Sequence, residues 1–365
     1  MSPTSDPRAV ADLFCGAGGL SLGLKQAGLE PTFAFDWDRY ACESYRRNIG
    51  AHVVHASADE ITSESIIERT GIQRGAWAVV AGGPPCQGFS IQRRGVPQDP
   101  RNDLVLRFGE LALDLRPAFI FMENVPTLLG VRGASERHAY LHMLEEAGYQ
   151  HIERVVDAAS FGVPQHRRRA VLLAWNTARV SGFSMPTPTH GQGTFTTVRD
   201  AIGDLPEPPE DPTIEPVLSN HVRVRISELN RVRISHVPYG GGRLDLPAEL
   251  QLPCHVNANG HRHLDVFGRM RWESPAPTIT AMFDNFSRGR FAHPVQDRSI
   301  TSREGARLQT FPDDYAFVGP KKDVARQIGN AVPPLLARKI GVALRQAIDG
   351  RQEGQLTLPL ELVAV

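Results

Sequence analysis

Short apolar runs alternate with amphipathic segments through the first half of the chain. The apolar runs are typical of buried strands and cover residues 10–14, 32–37, 77–81 and 119–123. Patterns of helical period lie between them, at residues 20–27, 39–48, 102–115 and 136–147. Strands that alternate with helices predict an α/β fold with right-handed crossovers, a mostly parallel sheet and helices on both faces. Two further runs, 152–158 and 169–174, are expected to pair as an antiparallel edge.

The pattern changes near residue 182. From there to about residue 277 the sequence is rich in proline, glycine and histidine, and it shows no long amphipathic helix. We expect a smaller, irregular, β-rich domain at 182–277. It would be inserted between a first catalytic part at 1–181 and a closing catalytic segment at 278–349.

Helical patterns return in the closing segment. Thr301 or Ser302 is the predicted N-cap of one helix, with Glu304 in its first turn. The last helix is predicted to begin at Pro333 or Pro334 and to run to about residue 348, because proline suits a first helical turn. The C-terminal tail, 350–365, carries no motif.

Composition and charge narrow the class of protein. The 365 residues are 41% hydrophobic and 22% charged, with a polar N-terminus and no apolar run near the ~20 residues that span a bilayer, so a cytoplasmic globular protein is expected. Zero net charge argues mildly against a nucleic-acid partner, although arginines cluster locally.

Cysteine and histidine spacing argues against a metal site. The four cysteines include no C-x-x-C pair, so neither a disulfide scaffold nor a thiolate zinc cluster is expected. Cys254, His255, His261 and His263 lie close together in the sequence, but one thiol at this spacing fits no standard zinc pattern. We therefore expect no bound metal.

Residues 12–19, Asp-Leu-Phe-Cys-Gly-Ala-Gly-Gly, take a strand into a glycine turn ahead of a helix. Glycines there let a ligand approach the backbone, and a helix N-terminus offers free N–H groups. Asp36, at the end of the next strand, is placed to hydrogen-bond a ribose. Ser21 stands where the dinucleotide fingerprint has its third glycine, which favours another adenosine-containing ligand over a nicotinamide cofactor. A purely structural turn is the alternative.

Other candidate residues follow predicted strands. Cys86 lies in a rigid Gly-Gly-Pro-Pro-Cys-Gln-Gly-Phe-Ser loop at the carboxyl edge of the sheet, where ligands bind, although a lone cysteine is otherwise a buried apolar residue. Glu123 ends another apolar strand. Strand alternation is expected to send Arg167 and Arg169 to one face, towards a phosphate or an anionic base, with a solvated charge run as the alternative. Gly-Asn-Ala-Val-Pro-Pro at 329–334 forms a constrained turn before the last helix.

In this order the segments resemble the DNA cytosine-5 methyltransferases, from about residue 10 to about residue 344. The most specific motifs are those at 12–19, at 83–90 and at 123–125, Glu-Asn-Val. Further matches are Gln-x-Arg-x-Arg at 165–169, Arg-Glu-x-Ala-Arg-Leu-Gln-x-Phe-Pro at 303–312, and the turn at 329–334. The resemblance implies a Rossmann-like methyltransferase fold, and 182–277 would be its target-recognition domain.

The resemblance also implies a mechanism. Cys86 would add to C6 of a cytosine flipped out of duplex DNA, and S-adenosylmethionine would then methylate C5. Glu123 would hold N3 and the exocyclic amine, while Arg167 and Arg169 would contact the flipped nucleotide.

Cofactor contacts are implied for one set of residues: Phe14, Gly16, Ala17, Gly18, Gly19, Asp36, Trp37, Pro85, Leu104, Asn330 and Val332. The sequence departs from the family where an aspartate usually holds the adenine amine. Ser57 occupies that position here and Asp59 follows two residues later, so either residue or a backbone group would make the contact.

DNA contacts are expected from Gln87, Ser90, Arg93, Arg94, Gln165, Arg223, Arg225, Arg231 and Arg233. The expected partners are double-stranded DNA and a restriction endonuclease that acts on the same site, as in bacterial restriction–modification, and the enzyme is expected to be a monomer. An RNA cytosine-5 methyltransferase is the main alternative. A DNA-binding protein without catalysis is disfavoured by the presence of Cys86, Glu123 and Arg167.

Overall fold

Seven strands form one sheet in the computed structural model, which describes residues 7–85, 103–211, 214–253 and 264–350. The strands are β1 (Ala9–Leu13), β2 (Glu30–Asp36), β3 (Val53–His55), β4 (Val79–Gly82), β5 (Phe119–Asn124), β6 (Tyr149–Asp157) and β7 (Arg168–Asn176). Their order is β3-β2-β1-β4-β5-β7-β6. The first five pair in parallel, whereas β7 runs antiparallel to both β5 and β6. The predicted parallel sheet with an antiparallel edge is confirmed.

Helices cover both faces of this sheet. Those of the described chain are α1 (Gly19–Gln26), α2 (Arg39–Asn48), α3 (Ser63–Thr70), α4 (Asp103–Leu115), α5 (Ala134–Glu146), α6 (Val198–Ile202), α7 (Glu228–Ser235), α8 (Ser302–Leu308), α9 (Lys321–Asn330) and α10 (Pro334–Ile348). In β5, Ile120 packs in the cluster with α4 and α5, while Phe121 packs in the cluster with α1 and α10. Because successive side chains of a strand alternate between faces, a strand covered on both sides is apolar throughout.

The last helix packs against the first. Leu24 of α1 and Leu336 of α10 belong to one core cluster, and Gly23 of α1 lies where the backbone of α10 passes closest. The closing segment therefore completes the layer that α1 begins.

No helix in the described part of the chain is long and apolar enough to cross a membrane.

A capping box begins α8. The Thr301 side chain accepts a hydrogen bond from the Glu304 backbone N–H, and the Glu304 carboxylate accepts one from the Thr301 N–H. Arg298 donates to both carboxylate oxygens of Glu304, at 2.8 and 2.7 Å. The predicted cap is confirmed, with Thr301 as the N-cap.

Residues 182–277 differ from the β-rich expectation. Their described part holds α6, α7 and short 3-10 turns, with only isolated β-bridges and no strand. Backbone carbonyls there are bound by arginine side chains instead: buried Arg269 donates to the Val237 and Ile234 oxygens, and it also donates to the His293 oxygen in the closing segment. A guanidinium with five donors can satisfy irregular backbone that no strand ladder covers.

Packing joins this region to the closing segment. Ile202 of α6 lies in one core cluster with Leu308 of α8, and Phe267 lies in another with Phe286. The domain limits at 181/182 and 277/278 stay predictions.

Replacing Gly23 with alanine tests the α1–α10 contact. A Cβ at Gly23 would lie 2.5 Å from the Cβ of Ala337 and closer still to the Pro334 carbonyl oxygen. We expect Gly23→Ala to lower the free energy of unfolding by about 1–3 kcal/mol, the usual cost of overpacking, despite the better helix propensity of alanine. Chemical denaturation measures this. Gly182→Ala is the matched control, because nothing lies within 4 Å of its Cβ; equal stability of the two variants would contradict the contact.

Candidate active site

A cavity of about 400 Å³ opens at the carboxyl edge of the sheet, beyond the ends of β1, β2, β4 and β5. One wall comes from the glycine loop after β1 and the turn after β2, and a second wall comes from the C-terminal end of α9 and the residues after it. The described lining residues include, of those predicted for the cofactor, Phe14, Gly16, Ala17, Asp36, Trp37, Pro85, Asn330 and Val332.

The glycine loop has an unusual backbone. Phe14 has a φ of 64°, and Gly16 and Gly18 also have positive φ. A phenylalanine in the left-handed region is strained, and such strain is typical of binding loops. Gly18 and Gly19 do not line the cavity. A side chain at Gly18 would collide with Tyr45, and one at Gly19 with the Val332 carbonyl, so close packing explains these two glycines.

Asp36 joins the glycine loop to the turn after β2. Its Oδ2 accepts from the Gly16 N–H and its Oδ1 from the Asp38 N–H, both at 2.8 Å. Burial raises the pKa of Asp36 to about 6, despite these two hydrogen bonds. Trp37 follows with 64% of its surface exposed, at the mouth of the cavity.

Asp12 is a lining residue whose role the sequence left unassigned. Its Oδ2 accepts from the Ser21 hydroxyl at 2.6 Å, while its buried Oδ1 has no hydrogen-bond partner among the described residues. Burial raises its pKa to about 7. Ser21, at the position of the third glycine of the dinucleotide fingerprint, therefore serves as a hydrogen-bond donor to buried Asp12.

Glu123 and Arg169 meet at the edge of β5. The Arg169 Nε lies 3.0 Å from Glu123 Oε1, and both side chains are largely buried. Next to them the Asn124 amide donates to the Pro84 carbonyl at 3.0 Å. This bond ties the loop that leads to Cys86 to the strand end that carries Glu123. Asn124 lies within the quoted Glu-Asn-Val motif, which was the available signal for it.

Arg167 and Gln165 are placed differently from the prediction. The Arg167 guanidinium is buried and donates to the carbonyls of Ile279, Gly329 and Ala331 at 2.9–3.1 Å, although it also borders the cavity. Gln165 is fully buried and its amide bonds to Leu308, Gln309 and Ile279. These groups hold the closing segment, because Gln165 pairs with Ala276 in an isolated parallel β-bridge and the chain after Ala276 therefore passes beside Arg167. The expected DNA contact of Gln165 does not fit this burial.

Three predicted cofactor residues lie away from the cavity. Ser57 and Asp59 are exposed, and the Ser57 N–H donates to the Glu60 carboxylate in a short 3-10 turn. Leu104 lies in α4 and packs against the core cluster that includes Val105 and Phe108. None of the three is among the lining residues, so an adenine contact from Ser57 or Asp59 has no support here.

The arginines predicted to bind DNA divide into two groups. Arg223 pairs with Glu207 and Glu210, and Arg231 pairs with Glu228. Arg233 donates to the Leu250 carbonyl and to Asn230, while Arg225 is exposed. Intramolecular carboxylates thus compete with phosphate at two of these positions. The remaining candidates lie outside the described residues: Cys86, Gln87, Ser90, Arg93, Arg94, Cys254, His255, His261 and His263.

Residues 9–346 match the sequence model of the family described as C-5 cytosine-specific DNA methylase. The chain belongs to this family. The Type II methylase M.HgiDII of Herpetosiphon aurantiacus is 35% identical over 95% of this chain and 98% of that protein. The Type II methyltransferase M1.HphI of Haemophilus parahaemolyticus is 34% identical over 91% of this chain and 85% of that protein.

A solved DNA modification methyltransferase from an E. coli prophage shares the fold, with a TM-score of 0.72 over 93% of this chain and 99% of that one, at 24% identity. The resemblance stated from the motifs is confirmed, and so is the Rossmann-like methyltransferase fold. Five of the six family motifs of this DNA cytosine-5 methyltransferase contribute residues to one cavity, among them the glycine loop, Pro84 and Pro85, Glu123, Arg169 and Asn330.

Buried Asp12, which borders the cavity, predicts that the stability of the protein depends on pH. The folded-state pKa of Asp12 is about 7 and lies above its usual 3.8. The folded state therefore holds a proton that the unfolded state has lost between these values, and stability falls as pH rises from about 4 to 7. We expect Asp12→Asn to remove part of this fall, on the order of 3 kcal/mol. Denaturation of the ligand-free protein at pH 5 and pH 8 measures it. Parallel losses in both proteins would contradict the raised pKa.

Proposed function

We propose that this methyltransferase transfers a methyl group from S-adenosylmethionine to C5 of a cytosine flipped out of a specific duplex DNA sequence, through a covalent bond between Cys86 and C6. The observation that carries the proposal is the Asn124–Pro84 hydrogen bond. It fixes the start of the Cys86 loop beside Glu123 and Arg169 and at the border of the cavity. Nucleophile, base-holding carboxylate and methyl donor would thus share one edge of the sheet.

The cavity fits S-adenosylmethionine by charge and shape. The cofactor carries a sulfonium, an ammonium group and an adenosine. Buried Asp12, with one unpartnered oxygen, supplies a negative group, and Trp37 offers an exposed aromatic face. A bound cation favours the ionised form of a buried carboxyl, which offsets the cost of desolvation that raises the pKa of Asp12. When bound, the cofactor supplies an electrophilic methyl group.

Covalent catalysis answers the low reactivity of the target carbon. Cytosine C5 is a poor nucleophile, so a thiolate that adds to C6 moves the C5–C6 π electrons onto C5 and makes it enamine-like. Glu123 would bind N3 and the exocyclic amine, which stabilises the charge that develops there. Arg169, 3.0 Å from Glu123, orients that carboxylate. After methylation, C5 loses its proton and C6 loses Cys86, and the aromatic ring is restored.

Arg167 would act through the closing segment rather than on the nucleotide. Its guanidinium binds the carbonyls of Gly329 and Ala331, on either side of Asn330. Asn330 borders the cavity with Val332, so Arg167 is a positioning residue for that wall.

Duplex DNA is favoured over RNA as the substrate. The matching family model is described as a DNA methylase, the similar proteins are a Type II methylase and a Type II methyltransferase, and a separate region at 182–277 provides room for target recognition. Arg225, exposed in this region, remains placed to contact phosphate. We also propose that the enzyme is a monomer and that its partner is a restriction endonuclease that acts on the same DNA site.

Replacing the nucleophile tests the mechanism. We expect Cys86→Ser to bind duplex DNA normally and to lose methyl transfer by at least ~10³-fold, since a hydroxyl is a much weaker nucleophile than a thiolate. Incorporation of labelled methyl groups into DNA measures the loss. Cys42→Ser is the matched control: its thiol is buried in α2 and donates to the Asp36 carbonyl, which a hydroxyl can also do. Near-normal turnover in Cys86→Ser would overturn the covalent route.

Trapping tests the substrate and the adduct together. Duplex DNA with 5-fluorocytosine at the target has no C5 proton to lose, so the adduct between Cys86 and C6 should persist after methylation. We expect a denaturation-resistant complex that needs S-adenosylmethionine and that does not form with Cys86→Ser. Transfer RNA with the same base is the comparison. A complex with RNA alone would replace the DNA substrate by the RNA alternative.

A further inference from the structure

One ion pair joins the two walls of the cofactor cavity. Arg326 Nη2, in α9, lies 2.7 Å from Asp38 Oδ2, at the start of α2. The same nitrogen lies 2.8 Å from Asp323 Oδ1 within α9. Asp38 and Arg326 both border the cavity, and the Asp38 side chain is only 12% exposed. The pair thus bridges the first part of the catalytic domain and its closing segment.

Asp38 belongs to the turn that carries Asp36 and Trp37. Its Oδ1 caps α2 by accepting from the Tyr40 N–H at 3.0 Å, and its own N–H donates to Asp36 Oδ1. Asp36 in turn holds Gly16. Hydrogen bonds therefore connect Asp38 through Asp36 to the glycine loop.

Arg326 belongs to the second wall, formed by α9 and the residues after it. It lies one helical turn before Asn330, and both residues border the cavity. Elsewhere α2 and α9 are joined by a buried bond from the Ser44 hydroxyl to Gln327, at 2.6 Å. Because this second bond persists when the ion pair is removed, the helices should stay together while the cavity mouth loses its bridge.

We infer that Asp38 and Arg326 form a clasp that sets the width of the cavity mouth between Trp37 and Asn330, which makes Arg326 a positioning residue for S-adenosylmethionine. A ligand that contacts both walls binds more tightly when the walls are already at the right separation, since less ordering is needed on binding. The inference rests on the proposed use of this cavity for S-adenosylmethionine.

Two variants remove the clasp by different routes. Asp38→Asn keeps an N-cap for α2, because asparagine caps as well as aspartate, and removes only the charge. Arg326→Gln removes the cation. We expect each to weaken S-adenosylhomocysteine binding about fivefold, the effect of one partly exposed ion pair. KM for S-adenosylmethionine should rise by the same factor, with kcat within about twofold of wild type.

Binding is measured on the full-length protein by calorimetry and by the change in tryptophan fluorescence, to which Trp37 contributes because it borders the cavity. The double variant Asp38→Asn/Arg326→Gln should bind no more weakly than the weaker single variant, because both changes remove one interaction. Arg326→Lys should restore most of the affinity. Arg46→Gln is the matched control: it breaks the exposed pair with Glu43 on the same helix α2 and should leave binding unchanged.

The outcomes separate two failures. If the wild-type protein binds neither S-adenosylmethionine nor S-adenosylhomocysteine, the proposed function is overturned and the clasp with it. If the wild type binds and both single variants bind as tightly as the wild type, only the clasp is overturned. If Arg326→Gln lowers both the melting temperature and the affinity, and Arg326→Lys restores neither, the ion pair serves folding and the inference is overturned.

Discussion

The buried guanidinium of Arg167 is the contact on which the cofactor site most depends. It donates to the carbonyls of Ile279, Gly329 and Ala331, more than a hundred residues away along the chain. A buried cation loses much of its hydration, and convergent backbone carbonyls replace that hydration only if the closing segment lies in one position. The contact therefore selects the arrangement in which the end of α9 forms the second wall of the cavity.

Around this contact the enzyme combines a rigid frame with an acidic, partly unsatisfied site. Asp36 ties the glycine loop to the turn after β2, and Asn124 ties Pro84 to the end of β5. Asp12, by contrast, retains a buried oxygen without a described partner. Because Asp12 borders the cavity, this oxygen supports the proposal of a cationic ligand there.

Sequence patterns predicted secondary structure best where the signal was carried by neighbouring residues in the sequence. The two β-rich runs at 152–158 and 169–174 predicted the antiparallel edge of β6 and β7, and the capping motif at Thr301 predicted the start of α8. The β-rich expectation for 182–277 was wrong in the described part. There, Arg269 satisfies carbonyls that a strand ladder would otherwise bind, and a single sequence does not show where a long side chain will reach.

Site residues show the same division. The motif order by itself determined the family, the sheet edge and just under half of the cavity lining, because the carboxyl ends of parallel strands lie at the same edge of a sheet. Tertiary structure alone decided that Gln165 is buried, that Arg223 is paired with Glu207 and Glu210, and that Arg326 reaches Asp38. Each of these depends on contacts between segments far apart in sequence, and only packing in three dimensions determines which partner a charged side chain meets.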